Sequence, residues 1–92
     1  MISIIRKKSP KLTVNVRDAD KVLYDGEAKA VSSFNKQGPF DILPYHAHFI
    51  SIIQKKITVH LDNNSEQSFV IETGVMRVES DTVDVFLGIE TV

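Results

Sequence analysis

The chain has 92 residues, no cysteine and a formal net charge of -1 at pH 7. One domain fits that length, disulfides and thiolate metal sites are excluded, and no strong net field draws the chain to nucleic acid or to a membrane surface. Hydrophobic residues make up 42% and charged residues 25%, the balance of a globular core under a solvated surface.

Met1 to Lys8 hold Ile2, Ile4 and Ile5 followed by Arg6-Lys7-Lys8. The apolar part is too short for a signal peptide, and no run in the chain approaches a membrane span. Residues 1–10 read as an N-terminal extension and residues 11–92 as a single domain. From there the dominant period is two. Leu12, Val14 and Val16 alternate with Lys11, Thr13, Asn15 and Arg17. A half-buried strand requires this, because successive side chains point to opposite faces. Lys21 to Tyr24 and Glu27 to Phe34 are strand-like, and Asp25-Gly26 between them suits a tight turn or bulge. Next comes Gly38-Pro39-Phe40-Asp41-Ile42-Leu43-Pro44-Tyr45-His46-Ala47-His48-Phe49, where backbone punctuation and apolar side chains are packed together.

Phe49 to Ile53 is apolar and reads as a short strand, with a helical turn as the alternative. Ile57, Val59 and Leu61 alternate with Lys56, Thr58 and His60. Asp62-Asn63-Asn64-Ser65 then joins that run to the strand-like Glu66 to Glu72, so Lys56 to Glu72 reads as a hairpin. Gly74 interrupts a strand pattern, which signals a bulge or a close backbone approach. Glu79-Ser80-Asp81 leads into Val83, Val85 and Leu87, which alternate with Thr82 and Asp84. Many short strands with frequent turn signals argue for a sandwich or barrel.

Little in the sequence reads as reaction chemistry. His46 and His48 would share a face on a strand, half of a metal site, but no glutamate lies between His48 and Glu66 to complete it. Ser32, Ser33 and Ser51 lack the surroundings of an activated nucleophile. The acids sit at turns and on polar strand faces, where solvated charge is expected. Lys7, Lys8, Lys11, Lys55 and Lys56 are not interleaved with aromatics as in nucleic-acid modules. Phe40, Ile42, Leu43 and Tyr45 either cap one end of the core or project toward a partner. Both hold if the inner side packs and the tip makes contact.

Gly38, Phe40, Ile42, Leu43, Pro44, His46 and Ala47 match the signature Gly-x-Phe/Leu-Gly-Ile-Leu-Pro-Gly-His-Ala-Pro of ATP synthase epsilon subunits. Leu23-Tyr24-Asp25-Gly26-Glu27-Ala28 before it, and Glu72 to Val78 and Val83 to Leu87 after it, are similar to that family in the same order. Residues 11 to 88 therefore resemble the epsilon N-terminal β-sandwich domain. The resemblance implies an all-β sandwich of about ten short strands in two sheets. It implies a non-catalytic, cofactor-free central-stalk subunit of an F-type proton-translocating ATP synthase, monomeric in isolation. Such a subunit couples the gamma subunit to the rotor c-ring. The ring contact would fall on Gly38, Pro39, Phe40, Asp41, Ile42, Leu43, Pro44, Tyr45 and His46. The location implied is cytoplasmic and peripheral to the inner (plasma) membrane, without insertion and without nucleic acid. Typical members continue into a C-terminal helical hairpin; with Val92 last, the resemblance implies the short form without it. Asp41 and Tyr45 replace glycines of the signature, and a tyrosine is costly wherever the backbone needs positive φ. Taken alone, the residues leave a second reading open: a free-standing, cupin-like sandwich that binds a metal or small ligand.

Overall fold

The computed structural model describes residues 10–45 and 48–88. Among these residues there is no helix, and hence none long and apolar enough to cross a membrane. The strands are β1 (Leu12–Asp18), β2 (Lys21–Ala28), β3 (Ala30–Asn35), β4 (Gly38–Ile42), β5 (Phe49–His60), β6 (Glu66–Glu79) and β7 (Thr82–Leu87). They form one hydrogen-bonded sheet of 7 strands in the order β2-β1-β7-β6-β5-β3-β4. All neighbours are antiparallel except β1 and β7, which run parallel.

The sheet folds over on itself within its two longest strands. Along the β5–β6 ladder, Gln54 opposes Thr73 and Lys55 opposes Ile71, so Glu72 is left without an opposite residue. Lys55 takes φ 74° at that point. A residue without an opposite number bends its strand, and here the bend carries β5 and β6 from one layer into the other. The first layer is β2, β1, β7 and the later part of β6 with the start of β5. The second is the start of β6, the end of β5, β3 and β4. Closure is visible at the end: Lys11, which leads into β1, lies 2.6 Å from Asp62 in the β5–β6 turn, and the Lys29 N–H donates to the His60 carbonyl at 2.9 Å.

The core lies between the layers. Val14, Val16, Val83, Val85, Met76 and Val78 point inward from the first layer and Val31, Ile42, Ile57 and Val59 from the second. Val14, Val16, Ile57, Val59, Val83 and Val85 are held by the alternation seen in the sequence, and burying one such side chain contributes about 1.5–3 kcal/mol. Ser33 is also buried, and its hydroxyl donates to the Lys56 carbonyl at 2.8 Å. That bond supplies a carbonyl beside the fold-over with the partner a regular ladder would have given it.

The structure departs from the sequence reading in the number of strands and in their ends. Among the described residues seven strands stand against the expected ten or so, because β5 and β6 each run through positions that read as breaks. Phe49 to Ile53 is the start of β5 and not a helical turn. Asp25-Gly26 is no turn; both residues pair with β1 inside β2, and Leu23 is the bulged residue there. The true crossing to the next layer is at Lys29, between β2 and β3. Gly74 marks a close approach: a Cβ there would stand 2.6 Å from Leu87 Cδ2 and 3.0 Å from the Phe86 carbonyl oxygen.

Candidate protein-interaction site

The segment from Gly38 onward divides into a strand and a projecting tip. Residues 38–42 are the edge strand β4, which pairs with β3 on one side. Gly38 starts it at φ 118°, a conformation that favours glycine. Pro39 is tolerated because an edge strand does not need every N–H. Phe40 and Ile42 face inward; the Phe40 ring lies 5.4 Å from that of Phe49, and Ile42 is only 2% exposed. Asp41 points outward, where its carboxylate accepts the Ser32 hydroxyl at 2.5 Å. The chain then leaves the sheet. Leu43 is 49% and Tyr45 81% exposed, with Pro44 half-buried between them. Tyr45 does take positive φ, 69°, and its N–H donates to Asp81 Oδ1 at 2.7 Å. The stretch expected to be one contact loop is thus half sheet. Phe40 and Ile42 serve the core, while Pro39, Asp41, Leu43 and Tyr45 are exposed. His46 lies outside the described residues, as does the geometry of the His46–His48 pair; His48 itself is exposed.

The two layers present opposite kinds of surface. On the outer face of the first, Ile52, Val75, Phe86, Arg17 and Val22 are successive cross-strand partners in one row. Directly opposed residues share a face, so these side chains form a band across five strands. The next row starts with Ile50 and continues through Arg77 and Asp84, which are paired at 3.2 Å. Ile50 is 68% and Ile52 67% exposed, and Val22 and Phe86 are exposed too. Alternation set these residues on the solvent side, yet they are apolar. Arg17 interrupts the row between Phe86 and Val22, and an apolar cluster of this kind on a sheet face marks a surface that is covered in use.

The outer face of the second layer carries Asp41, Ser32, Thr58 and Ser68 in one row, with His60 opposite Glu66 in the next. Exposed Val70 is the exception there. Thr58 and Ser68 share a hydrogen bond of 3.0 Å. Ser32 Oγ lies 2.8 Å from His60 Nε2, and His60 Nδ1 lies 3.3 Å from Glu66 Oε2, an ion pair when the imidazole is protonated. Serine, histidine and acid in this order are the residue types of a hydrolytic triad. The fourth member changes the chemistry. Ser32 has one proton and directs it to Asp41, so the imidazole faces a serine lone pair and does not withdraw the proton. The hydroxyl acts as a bridge that ties β4, β3, β5 and β6 together. Sequence reasoning missed this array because its members lie up to 34 positions apart and meet only through strand register.

Charges at the closed end are paired. Lys11 also lies 3.8 Å from Glu27, and its ammonium is held above the usual lysine value by its hydrogen bond to Asp62 and the charges of Asp62 and Glu27. Partial burial, reinforced by the Glu27 charge, raises the Tyr24 phenol, whose hydroxyl donates to the Glu27 carbonyl at 2.6 Å.

The family model of the ATP synthase delta/epsilon chain β-sandwich domain matches residues 11–88. The chain belongs to this family. Among its curated relatives, the ATP synthase epsilon chain of Sulfurimonas denitrificans is 28% identical over 78 residues, 84% of this chain and 60% of that protein. The ATP synthase epsilon chain of Brevibacillus brevis is 26% identical over 76 residues, covering 82% and 58%. The chain therefore spans less than two thirds of the length of these epsilon chains. Its fold is shared with a chain in the Euglena gracilis mitochondrial ATP synthase OSCP/F1/c-ring assembly, at TM-score 0.80, 15% identity and coverage of 95% of this chain and 57% of that one. A chain of the Tetrahymena thermophila mitochondrial ATP synthase central stalk and c-ring gives TM-score 0.69 at 13% identity, covering 88% and 66%. Membership of the delta/epsilon family accounts for the all-β architecture and for the order of the strand motifs around Gly38 to Pro44.

Proposed function

We propose that this delta/epsilon-family sandwich is a non-catalytic central-stalk module of an F-type ATP synthase, seated against the gamma subunit through the outer face of its first layer. The observation that carries the reading is the contrast between the layers. One outer face displays Ile50, Ile52, Val75, Phe86 and Val22 around Arg17 and the Arg77–Asp84 pair, and the other displays hydroxyls and charges with Val70 as its exposed aliphatic. A free sandwich gains nothing from an apolar outer band; a docked one removes it from water. The tip at Leu43 to Tyr45 projects from one end of the sandwich and would reach the c-ring. In that arrangement the module turns over no substrate, needs no cofactor, is a monomer when alone, and sits at the cytoplasmic membrane surface as part of the enzyme. Family membership favours this reading over a free-standing cupin-like binder.

Co-expression with the cognate gamma subunit tests it. A one-to-one complex should survive gel filtration, and Ile52→Asp with Phe86→Asp should abolish it while the isolated chain stays folded. Failure of the unaltered chain to hold gamma would end the proposal. A tightly bound stoichiometric metal in the purified chain would do so as well.

A further inference from the structure

Tyr45 is the most solvent-exposed aromatic among the described residues, at 81%. Its backbone lies in the left-handed region, which resists any side chain larger than hydrogen. Such a residue persists where its surroundings over-determine it. The determinant is Asp81, whose Oδ1 accepts the Tyr45 N–H at 2.7 Å across 36 positions of sequence. Asp81 is itself fixed. With Ser80 it forms the two-residue turn between Glu79 and Thr82, at φ 49° and 62°, and its carbonyl accepts the Thr13 N–H at 2.9 Å. A turn with two left-handed residues prefers glycine at the second place. An aspartate there keeps a carboxylate that the turn does not need.

We propose that Asp81 is the positioning residue of the tip. It clamps the left-handed backbone of Tyr45 and so aims the exposed ring as an aromatic anchor for an apolar niche on a protein partner. The partner is the rotor surface, so the anchor role rests on the central-stalk reading. The clamp does not, since both ends of it lie within this chain. Pro44 precedes the anchor, and its fixed φ lowers the entropy lost on docking. The ring brings large contact area at low entropic cost, as interface tyrosines do.

Asp81→Gly separates the clamp from the fold, because glycine suits the turn while removing the carboxylate. In the isolated full chain, amide hydrogen exchange at Tyr45 should accelerate at least about tenfold, the factor that loss of about 1.4 kcal/mol of protection gives. Exchange at Thr13 and the melting temperature should hold. Asp81→Asn, which keeps an acceptor, should restore slow exchange. Unchanged exchange at Tyr45 in Asp81→Gly would overturn the clamp. Binding to the purified gamma–c-ring rotor forms the second arm. Asp81→Gly and Tyr45→Ala should each weaken it, and the double variant should be no weaker than Tyr45→Ala alone. Additive losses, or binding that neither variant alters, would overturn the anchor. An unaltered chain that ignores the rotor would refute the central-stalk reading, and the exchange arm would then judge the clamp by itself.

Discussion

Truncating Ile50 and Ile52 to alanine together measures what the apolar band is worth. Each substitution removes roughly three carbon groups, at about 0.8 kcal/mol per group buried. Both side chains are about two-thirds exposed in the free chain, 68% and 67%, so about that share of the transfer energy is available to docking. The pair should therefore cost about 3 kcal/mol of affinity for gamma, which is of order a hundredfold in Kd. The folded chain should change little, since the lost methyl groups face water; the spread of strand propensity caps the change at about 1 kcal/mol per site. Titration calorimetry of the chain against gamma reads the first quantity and urea unfolding the second. Val70→Ala is the control, an exposed aliphatic on the opposite outer face, and should leave affinity unaltered. A double variant within about threefold of the unaltered Kd, well short of a full tenfold step, or a Val70→Ala loss of equal size, would refute the assignment of the docking face.

Gly74→Ala should cost about 1–3 kcal/mol, because the Phe86 carbonyl and the Leu87 side chain must both give way. The melting temperature should fall by several degrees, and an unchanged value would mean that β7 can shift freely. Ser33→Ala should cost about 1–2 kcal/mol in urea unfolding, since it strands the Lys56 carbonyl at the fold-over; a neutral result would show water replacing the hydroxyl. Stability should also fall in alkali. Lys11 and Tyr24 both bind their protons more tightly in the folded chain than the usual values of 10.5 and 10.0. Their contributions are therefore complete below pH 10 and are lost as pH rises through the folded-state values. Melts across pH 8 to 12 should be flatter in Lys11→Met and in Tyr24→Phe, and parallel curves in all three proteins would remove both groups from the account.

The strands were legible because alternation survives wherever one face meets the core. Leu12, Val14 and Val16, and likewise Val83, Val85 and Leu87, all point where the period of two placed them. Strand ends were less legible, because turn-forming residues are also used inside sheets. Gly26 runs through β2 with the Tyr24 ring over it; a Cβ there would stand 3.4 Å from the hydroxyl oxygen. Lys55-Lys56 interrupts an apolar run, yet marks a fold-over within β5 and not its end. At the candidate site, the signature located the segment but not which way each residue faces. Burial of Ile42 and display of Tyr45 follow from the pleat of β4 and from a hydrogen bond to Asp81. The Ile50 to Val22 band was invisible for a similar reason: apolar residues on both faces of a strand look, in sequence, like a deeply buried strand.

The parallel pairing of β1 with β7 bears on the order of assembly. Among the described strands the earliest to leave the ribosome lies beside the latest, with Val14 opposite Val83 and Val16 opposite Val85. Until residues 82–87 emerge, the β1–β2 hairpin has a valine stripe and no neighbour to cover it. An isolated hairpin is marginal in water, so a nascent chain stalled before β7 should remain open to proteases and chaperones. Completion of β7 would then join β1 to β6 and close the first layer late in synthesis.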